Sequence, residues 1–585
     1  MSTSSNRYIH SVDGLRAVAV IAVLLYHLGI DWIPGGFLGV DLFFVISGYV
    51  ITGLILESIA RSGTLDLRAF YLSRIRRLVP ALVAMLVFTT LFIGVYAPDT
   101  VRRFLADIPY VMTGSMNWAL VSRQQDYFEA IGRPPLLQHT WSLAVEAQFY
   151  LIWPLVLLFI LRYFGKKNIP FAALAIAIAS GVTLFAYSIR IDTQESAISH
   201  VYFGTDTHSI GLFLGSALAV SWQPQNLTRE ISKRAQDFID LIGVVGLLGL
   251  FSTFLFINEN DPTLYRIAFP LSALFGCATL ISVVHPASRF APILSTRPLI
   301  WIGERSYGIY LWHWIVFQLT RPSIDLVGDD WALYALRVLI VFALADISLR
   351  YIEIPVRRGY FELWFRGMKY RTKAVRLRQQ LSTIAAVLVT IAATSLVSIN
   401  AMERADQIAA QEKAAVTENN SEDVDQVITA ADTPGLWVTG DSVILGIRNV
   451  LAQYERIELI NARVGRQINE LIEVAKTDQQ FVGKSPVVLN LGNNNKLVEN
   501  DVVKLMEIVK DQPKIIVVNT AVPRSWKESN NALINSVVSR YPNTTVIDWA
   551  SLSENHPEYF ATDGVHLNPP GVNAYVSAIR EVLNR

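Results

Sequence analysis

Gly440-Asp441-Ser442 is followed about 120 residues later by Asp563-Gly564-Val565-His566. A serine hydroxyl becomes an effective nucleophile when an imidazole can take its proton and a carboxylate holds that imidazole in place. Here Ser442 is the expected nucleophile and His566 the general base. Asp563, three residues earlier, is the group expected to orient the ring. Ser442 follows a strand-like run and opens a helical one, so backbone N–H groups at the helix start can face a developing oxyanion. Gly465, in Val464-Gly465-Arg466, adds a backbone N–H, and Asn494, in Gly492-Asn493-Asn494, adds a side-chain amide. The chemistry this set supports is acyl transfer, to water or to another hydroxyl. A serine at such a junction also serves as a plain helix cap, so the inference rests on the ordered set.

A second group of residues stands where hydrocarbon should exclude them. His27 lies inside an apolar run with Arg16 near its start, and Asp41 and Ser47 lie in the next. Arg74 and Arg77 form an Arg-x-x-Arg pair at the entry of a third, Glu146 follows Trp141-Ser142-Leu143-Ala144-Val145, and His313 sits in Tyr310-Leu311-Trp312-His313-Trp314. Ionisable residues at such depth usually face a protein-lined cavity and mark a substrate path.

The elements that must position these residues follow from hydropathy. Of 585 residues, 52% are hydrophobic and 17% charged. Apolar runs long enough to cross a bilayer recur near 13–30, 37–57, 78–96, 142–161, 169–187, 207–221, 238–257, 265–284, 304–320, 331–349 and 381–399. This predicts about ten spans plus one linking span. The segments after every even-numbered span are basic, as in Arg61, Arg68, Arg74, Arg76 and Arg77. The positive-inside bias therefore predicts a cytoplasmic N-terminus and an extracytoplasmic C-terminal domain. No cleavable signal peptide is expected, because the N-terminal segment lacks a cleavage site and leads straight into further spans.

The expected division is a membrane domain over 1–360, then a basic loop, the eleventh span and a polar spacer over 361–434, and a last domain over 435–585. In that domain β-branched runs at 436–439, 457–460, 487–491, 515–518 and 545–547 alternate with helical stretches at 442–454, 467–476, 496–510 and 529–540. Such alternation predicts an α/β/α domain with a parallel sheet, and sites in such sheets lie at the carboxyl ends of the strands. The net charge of +1 gives no indication of a nucleic acid partner. A single cysteine, Cys277, excludes an intramolecular disulfide and a cysteine-rich metal site. No metal and no bound cofactor are expected.

The ordered set Gly440-Asp441-Ser442, Gly465, Gly492-Asn493-Asn494 and Asp563-Gly564-Val565-His566 resembles the SGNH hydrolase/esterase family over roughly 435–585. Asn495 departs from the Gly or Asp common there. The segments Ser11–Ala17, Gly35–Tyr49 and Ser306–His313 look like the membrane acyltransferase-3 family over roughly 7–360. The second resemblance implies a cytoplasmic acyl-CoA donor, usually acetyl-CoA. It places His27 at the acyl-transfer centre and Arg16, Arg74 and Arg77 at positions associated with activity, consistent with donor binding. Asp41, Glu146 and His313 remain residues expected to face the membrane cavity.

Together the two resemblances imply an O-acyltransferase of a bacterial cell (inner) membrane, similar to fused peptidoglycan-type O-acetyltransferases. Acetyl would be handed outward, received on Ser442 and esterified to an envelope carbohydrate or glycolipid. Peptidoglycan, O-antigen, exopolysaccharide and trehalose glycolipids all stay open as acceptors. Two other readings stay open: an outer domain that removes acyl groups as a carbohydrate esterase, and a membrane domain that works mainly as a transporter.

Overall fold

The computed structural model describes residues 9–30, 32–123, 134–190, 196–258, 263–322, 325–326, 330–418, 435–463, 466–494, 497–522, 524, 526–561 and 564–584. The chain divides into two compact units, one drawn from residues 1–402 and the other built chiefly of Glu403–Arg585.

Among the described residues of the first unit and its exit, nine helices are long and apolar enough to cross a membrane. They coincide with nine of the eleven expected spans. The stretches near 207–221 and 304–320 instead form the shorter helices Ile210–Ser221 and Ser306–Leu319. At 1.5 Å per residue these are about 18 and 21 Å long, short of the ~30 Å hydrocarbon core. The second is cut at Arg305, which leaves the helical path and is held by Asp346 at 2.6 Å and by the face of Trp301. The long helices are apolar on their outer faces as well as their inner ones: Leu151, Ile152, Leu155 and Phe159 are all exposed. A helix that shows apolar side chains all round belongs in lipid.

Five helices of this unit matter below: α1 (His10–Leu28), α2 (Gly39–Ser62), α3 (Leu67–Tyr96), α4 (Trp141–Tyr163) and α5 (Ser306–Leu319). Helix α3 starts earlier than its apolar run because Asp66 caps it, accepting the Ala69 N–H at 3.0 Å. Arg74 and Arg77 are therefore helical residues. Pro80 lies one turn beyond Arg77 inside this helix. Having no N–H, it leaves the Arg76 carbonyl without its usual donor. Helix α2 crosses Ile210–Ser221 with the backbones in contact. A Cβ at Gly48 would fall 1.9 Å from the Leu212 carbonyl oxygen, and one at Gly215 would fall 2.1 Å from that of Val45. Small residues of this kind are what lets membrane helices approach so closely.

The second unit is a five-stranded parallel sheet with helices on both faces. Its strands are β1 (Leu436–Gly440), β2 (Ile457–Ala462), β3 (Val487–Asn490), β4 (Ile515–Val518) and β5 (Thr544–Ile547), in the order β2-β1-β3-β4-β5. All five were expected from the β-branched runs. Alternate residues feed two cores: Trp437, Val487 and Ile515 pack on one face, and Val438, Val488 and Ile516 on the other. Burial on both faces is why the central strands read as continuous apolar runs. In this strand order the chain reverses its winding direction between β1 and β3, so a crevice opens beyond their carboxyl ends.

Candidate functional site

Gly440-Asp441-Ser442 leaves the end of β1 at that crevice and starts α6 (Ser442–Tyr454). Asp441 is the N-cap, its Oδ1 accepting the Val443 N–H at 2.9 Å. Its Oδ2 accepts from Asn493 at 2.9 Å and Asn494 at 3.0 Å, both just past β3. Burial pushes the Asp441 carboxyl up to about 6, while the Val443 N–H, Asn493 and the nearby His566 ring oppose the shift. The Ser442 hydroxyl is buried and has no hydrogen-bond partner among the described residues. Its backbone sits at the first turn of α6, where N–H groups point outward.

His566 is half-buried and close enough to Asp441 to act on its charge. The residues that flank it pair with one another. The Ala561 N–H donates to the His566 carbonyl at 2.7 Å, and Phe560 pairs with Leu567. Gly564 turns the chain at φ 69°, a left-handed conformation that suits glycine. Asp563 and Gly465 lie outside the described residues. Asn494 gives its amide hydrogens to Asp441 and, at 3.1 Å, to the Arg466 carbonyl. Arg466 in turn donates to the carbonyls of Gly440 at 3.2 Å and Asn461 at 2.7 Å. The ends of β1, β2 and β3 are thus tied together around Ser442.

In the first unit, Arg16 of α1, Ser47 of α2, Arg74 and Arg77 of α3, and Glu146 and Tyr150 of α4 line one cavity. A second cavity shares Arg16, Arg77, Ser306 and Tyr307 with the first and adds Glu353 and Arg357. Arg16, Arg77 and Arg357 all act electrostatically on Arg74. Guanidinium groups gathered around one space suit a multiply charged anion, which each can bind through two oxygens. The Glu146 carboxyl faces the hydroxyls of Ser47 and Tyr150, which themselves stand 2.6 Å apart.

Tyr310 lines the same cavity. Its hydroxyl meets Ser142 Oγ at 2.6 Å and donates to the His139 carbonyl at 2.8 Å. Behind it lie three histidines. His27 Nδ1 and His313 Nε2 are 3.1 Å apart. The His139 ring stands 5.9 Å from that of His313, and Trp314 packs against both His27 and His139.

The structure therefore gathers Arg16, Arg74, Arg77 and Glu146 at the cavity, and His27 with His313 beyond it. Asp41 lies elsewhere: its Oδ1 faces His208 Nε2 at 3.3 Å among aromatic rings. Residues that sequence reasoning missed are His139, Tyr310, Arg357 and Asn493. His139 stands in a polar Gln138-His139-Thr140 run just before an apolar stretch, a signal that could have singled it out.

Comparison with known proteins follows this division. The model of the acyltransferase domain family matches residues 9–350. The peptidoglycan O-acetyltransferase OatA of Listeria monocytogenes is 34% identical, over 99% of this chain and 99% of its own. The O-acetyltransferase OatA of Staphylococcus aureus (strain MRSA252) is 32% identical, over 98% and 96%. Among solved structures, the C-terminal catalytic domain of Streptococcus pneumoniae peptidoglycan O-acetyltransferase A, with a methylsulfonyl adduct, matches 26% of this chain and 93% of its own. The identity there is 27% and the TM-score 0.23.

Proposed function

The chain belongs to the acyltransferase domain family and, over nearly its whole length, to the family of OatA-type O-acetyltransferases; on that footing we propose that it moves acetyl from cytoplasmic acetyl-CoA across the membrane onto a hydroxyl of peptidoglycan. The observation that carries the donor half is the convergence of Arg16, Arg74, Arg77 and Arg357 on two neighbouring cavities that share Arg16 and Arg77. Acyl-CoA is a polyphosphate, and guanidinium groups hold phosphate bidentately. In this reading the phosphates rest among the arginines and the thioester reaches past Tyr310 toward His27. A thioester is already activated, so an imidazole suffices to accept its acyl group.

The outer half of the reaction is an ester exchange at Ser442. The Ser442 Oγ attacks the acetyl carbonyl carbon while His566 takes its proton, and the oxyanion is met by N–H groups at the start of α6; the bond from that carbon to the group that delivers the acetyl then breaks, and His566 returns the proton to the departing group. The Val443 N–H is already given to Asp441, so the Ser442 N–H and the Asn494 amide are the donors within the described residues. Asn494 would exchange one of its present bonds for the oxyanion. A sugar hydroxyl, deprotonated by His566, then attacks the acyl-serine and releases it.

The test is transfer in sealed vesicles carrying the full-length protein, with acetyl-labelled acetyl-CoA on the cytoplasmic side and peptidoglycan fragments on the other. Alkali-labile label on the glycan is the expected result. Label released only as acetate would mean the second unit is an esterase.

A further inference from the structure

We propose that His313 is a positioning residue that fixes the tautomer of His27, so that the ring lone pair of His27 sits on Nε2; this rests on the reading of His27 as the acyl-transfer centre. His313 Nδ1 lies 2.7 Å from the Tyr310 carbonyl oxygen and 3.2 Å from that of Ile309. A carbonyl oxygen only accepts, so His313 Nδ1 carries the proton. In a neutral imidazole the other nitrogen then carries the lone pair, and His313 Nε2 is an acceptor. The atom it faces at 3.1 Å is His27 Nδ1, which must be the donor. The lone pair of His27 is left on Nε2.

His27 is the last-turn histidine of α1 and His313 lies in the middle of α5, so the tautomer set within α5 reaches His27 by contact between helices, where the Val23 carbonyl of α1 is a second hydrogen-bond partner of the His27 ring. The backbone of α5 is the fixed end of the relay, because the carbonyls of Ile309 and Tyr310 are one turn before His313 in the same helix. The third histidine is fixed in the opposite sense. His139 Nε2 is 3.2 Å from the Leu311 carbonyl oxygen, which puts its proton on Nε2. Neutral histidine in water favours the Nε2-protonated tautomer, so the Nδ1 protons of His27 and His313 are the departures that this packing imposes.

The relay also serves the reaction step. As His27 Nε2 bonds to the thioester carbonyl carbon, the C–S bond breaks and its electron pair leaves on the CoA sulfur. The imidazole would carry a positive charge, and the Nδ1 proton passes to His313 Nε2, leaving a neutral acyl-imidazole and an imidazolium. A buried charge is moved off the acylated ring without water.

The experiment is solid-state NMR of the full-length protein with ¹⁵N-histidine in lipid bilayers, combined with kinetics of acetyl transfer. His27 and His313 are expected to be Nδ1-protonated, with coupling from the His27 Nδ1–H to His313 Nε2, and His139 to be Nε2-protonated. A wild-type spectrum with His27 protonated on Nε2 overturns the proposal without any variant. His313→Leu keeps bulk but removes the acceptor, and kcat should fall by about 10²–10⁴ while the KM for acetyl-CoA holds. His313→Gln, whose Oε1 can accept the same bond, should recover at least about tenfold over Leu. Equal activity of the Leu and Gln variants, or wild-type kcat in the Leu variant, overturns the role. Normal transfer by His27→Gln is a different outcome: it overturns the reading of His27 as the acyl-transfer centre, and the positioning role falls with it.

Discussion

The Oδ2 of Asp441 and the Nδ2 of Asn494 stand 3.0 Å apart and join the turn after β1 to the turn after β3. The contact is the point where the serine loop and the asparagine loop share one buried carboxylate. It sets both the shape of the crevice and the competition that an oxyanion must win.

Ser442→Ala should leave the fold intact, since the hydroxyl makes no hydrogen bond among the described residues. A stability change within about 1 kcal/mol is expected, together with loss of acceptor acetylation by several orders of magnitude. Mass spectrometry of the glycan reads the activity. Near-normal acetylation would rule out an acyl-serine.

Asn494→Ala removes a proposed oxyanion donor and should lower the hydrolysis of a simple aryl ester by full-length protein about 10²–10³-fold in kcat. If Asn494 serves only to tie Asp441 and Arg466, stability should fall while kcat per folded molecule stays near wild type. Active-site titration with a serine-directed reagent separates the two outcomes.

Asp441 makes the stability of the second unit depend on pH in a direction opposite to that of most carboxylates. Its folded value is raised to about 6 from the ordinary carboxylate range. Below about pH 4 both folded and unfolded states bind the proton, and the group contributes no penalty. Between about 4 and 6 only the folded state holds it, so stability falls as pH rises, by about 2–3 kcal/mol in total. Urea-dependent pulse proteolysis of the full-length protein should show this decline in wild type and its absence in Asp441→Asn. A wild-type profile that rises through the same window would contradict the assignment.

Arg74→Lys and Arg77→Lys keep charge but lose the planar fork. If these residues hold phosphate oxygens in pairs, each change should weaken acetyl-CoA binding about tenfold. Equilibrium binding to purified protein decides, with accessibility labelling as the check on topology. Unchanged affinity in both variants would remove α3 from the donor site.

Gly48→Val drives a side chain into the Leu212 carbonyl and should cost about 3 kcal/mol or more in detergent-solubilised protein. Gly53, one and a half turns further along the same helix, has nothing within 4 Å of its missing Cβ. Gly53→Ala should therefore be neutral or stabilising by up to about 1 kcal/mol. Similar melting temperatures for the two variants would mean that α2 and Ile210–Ser221 do not meet backbone to backbone.

The five strands and the turn that holds Ser442 were legible because their signal is local: β-branched runs, then Gly-Asp-Ser at a helix start. The arginines were legible as residue types but not as a set, since Arg357 joins Arg16, Arg74 and Arg77 only through packing of distant helices. Asp41 shows the reverse. Its depth in an apolar run suggested the cavity, yet a buried histidine 167 positions away claims it. The roles of His139 and Asn493 were hidden for a related reason. Their partners, the Leu311 carbonyl and the Asp441 carboxylate, come from other parts of the chain. The two short helices kept the apolar signal but not the length, because a turn at Arg305 and the ends at Ser209 and Trp222 cannot be read from hydropathy.

The two walls of the arginine-lined space are held in different ways. On one side α2 is locked backbone-to-backbone against Ile210–Ser221 at Gly48 and Gly215, and such a joint has no side chains to reshuffle. On the other side Arg74 and Arg77 ride on the part of α3 that precedes Pro80, where the helical ladder is one rung short. That stretch is anchored from outside instead, by the Tyr71 hydroxyl on the Leu151 carbonyl at 2.9 Å and the Tyr307 hydroxyl on the Leu78 carbonyl at 2.7 Å, so the arginine turn leans on α4 and α5 where its own ladder is incomplete.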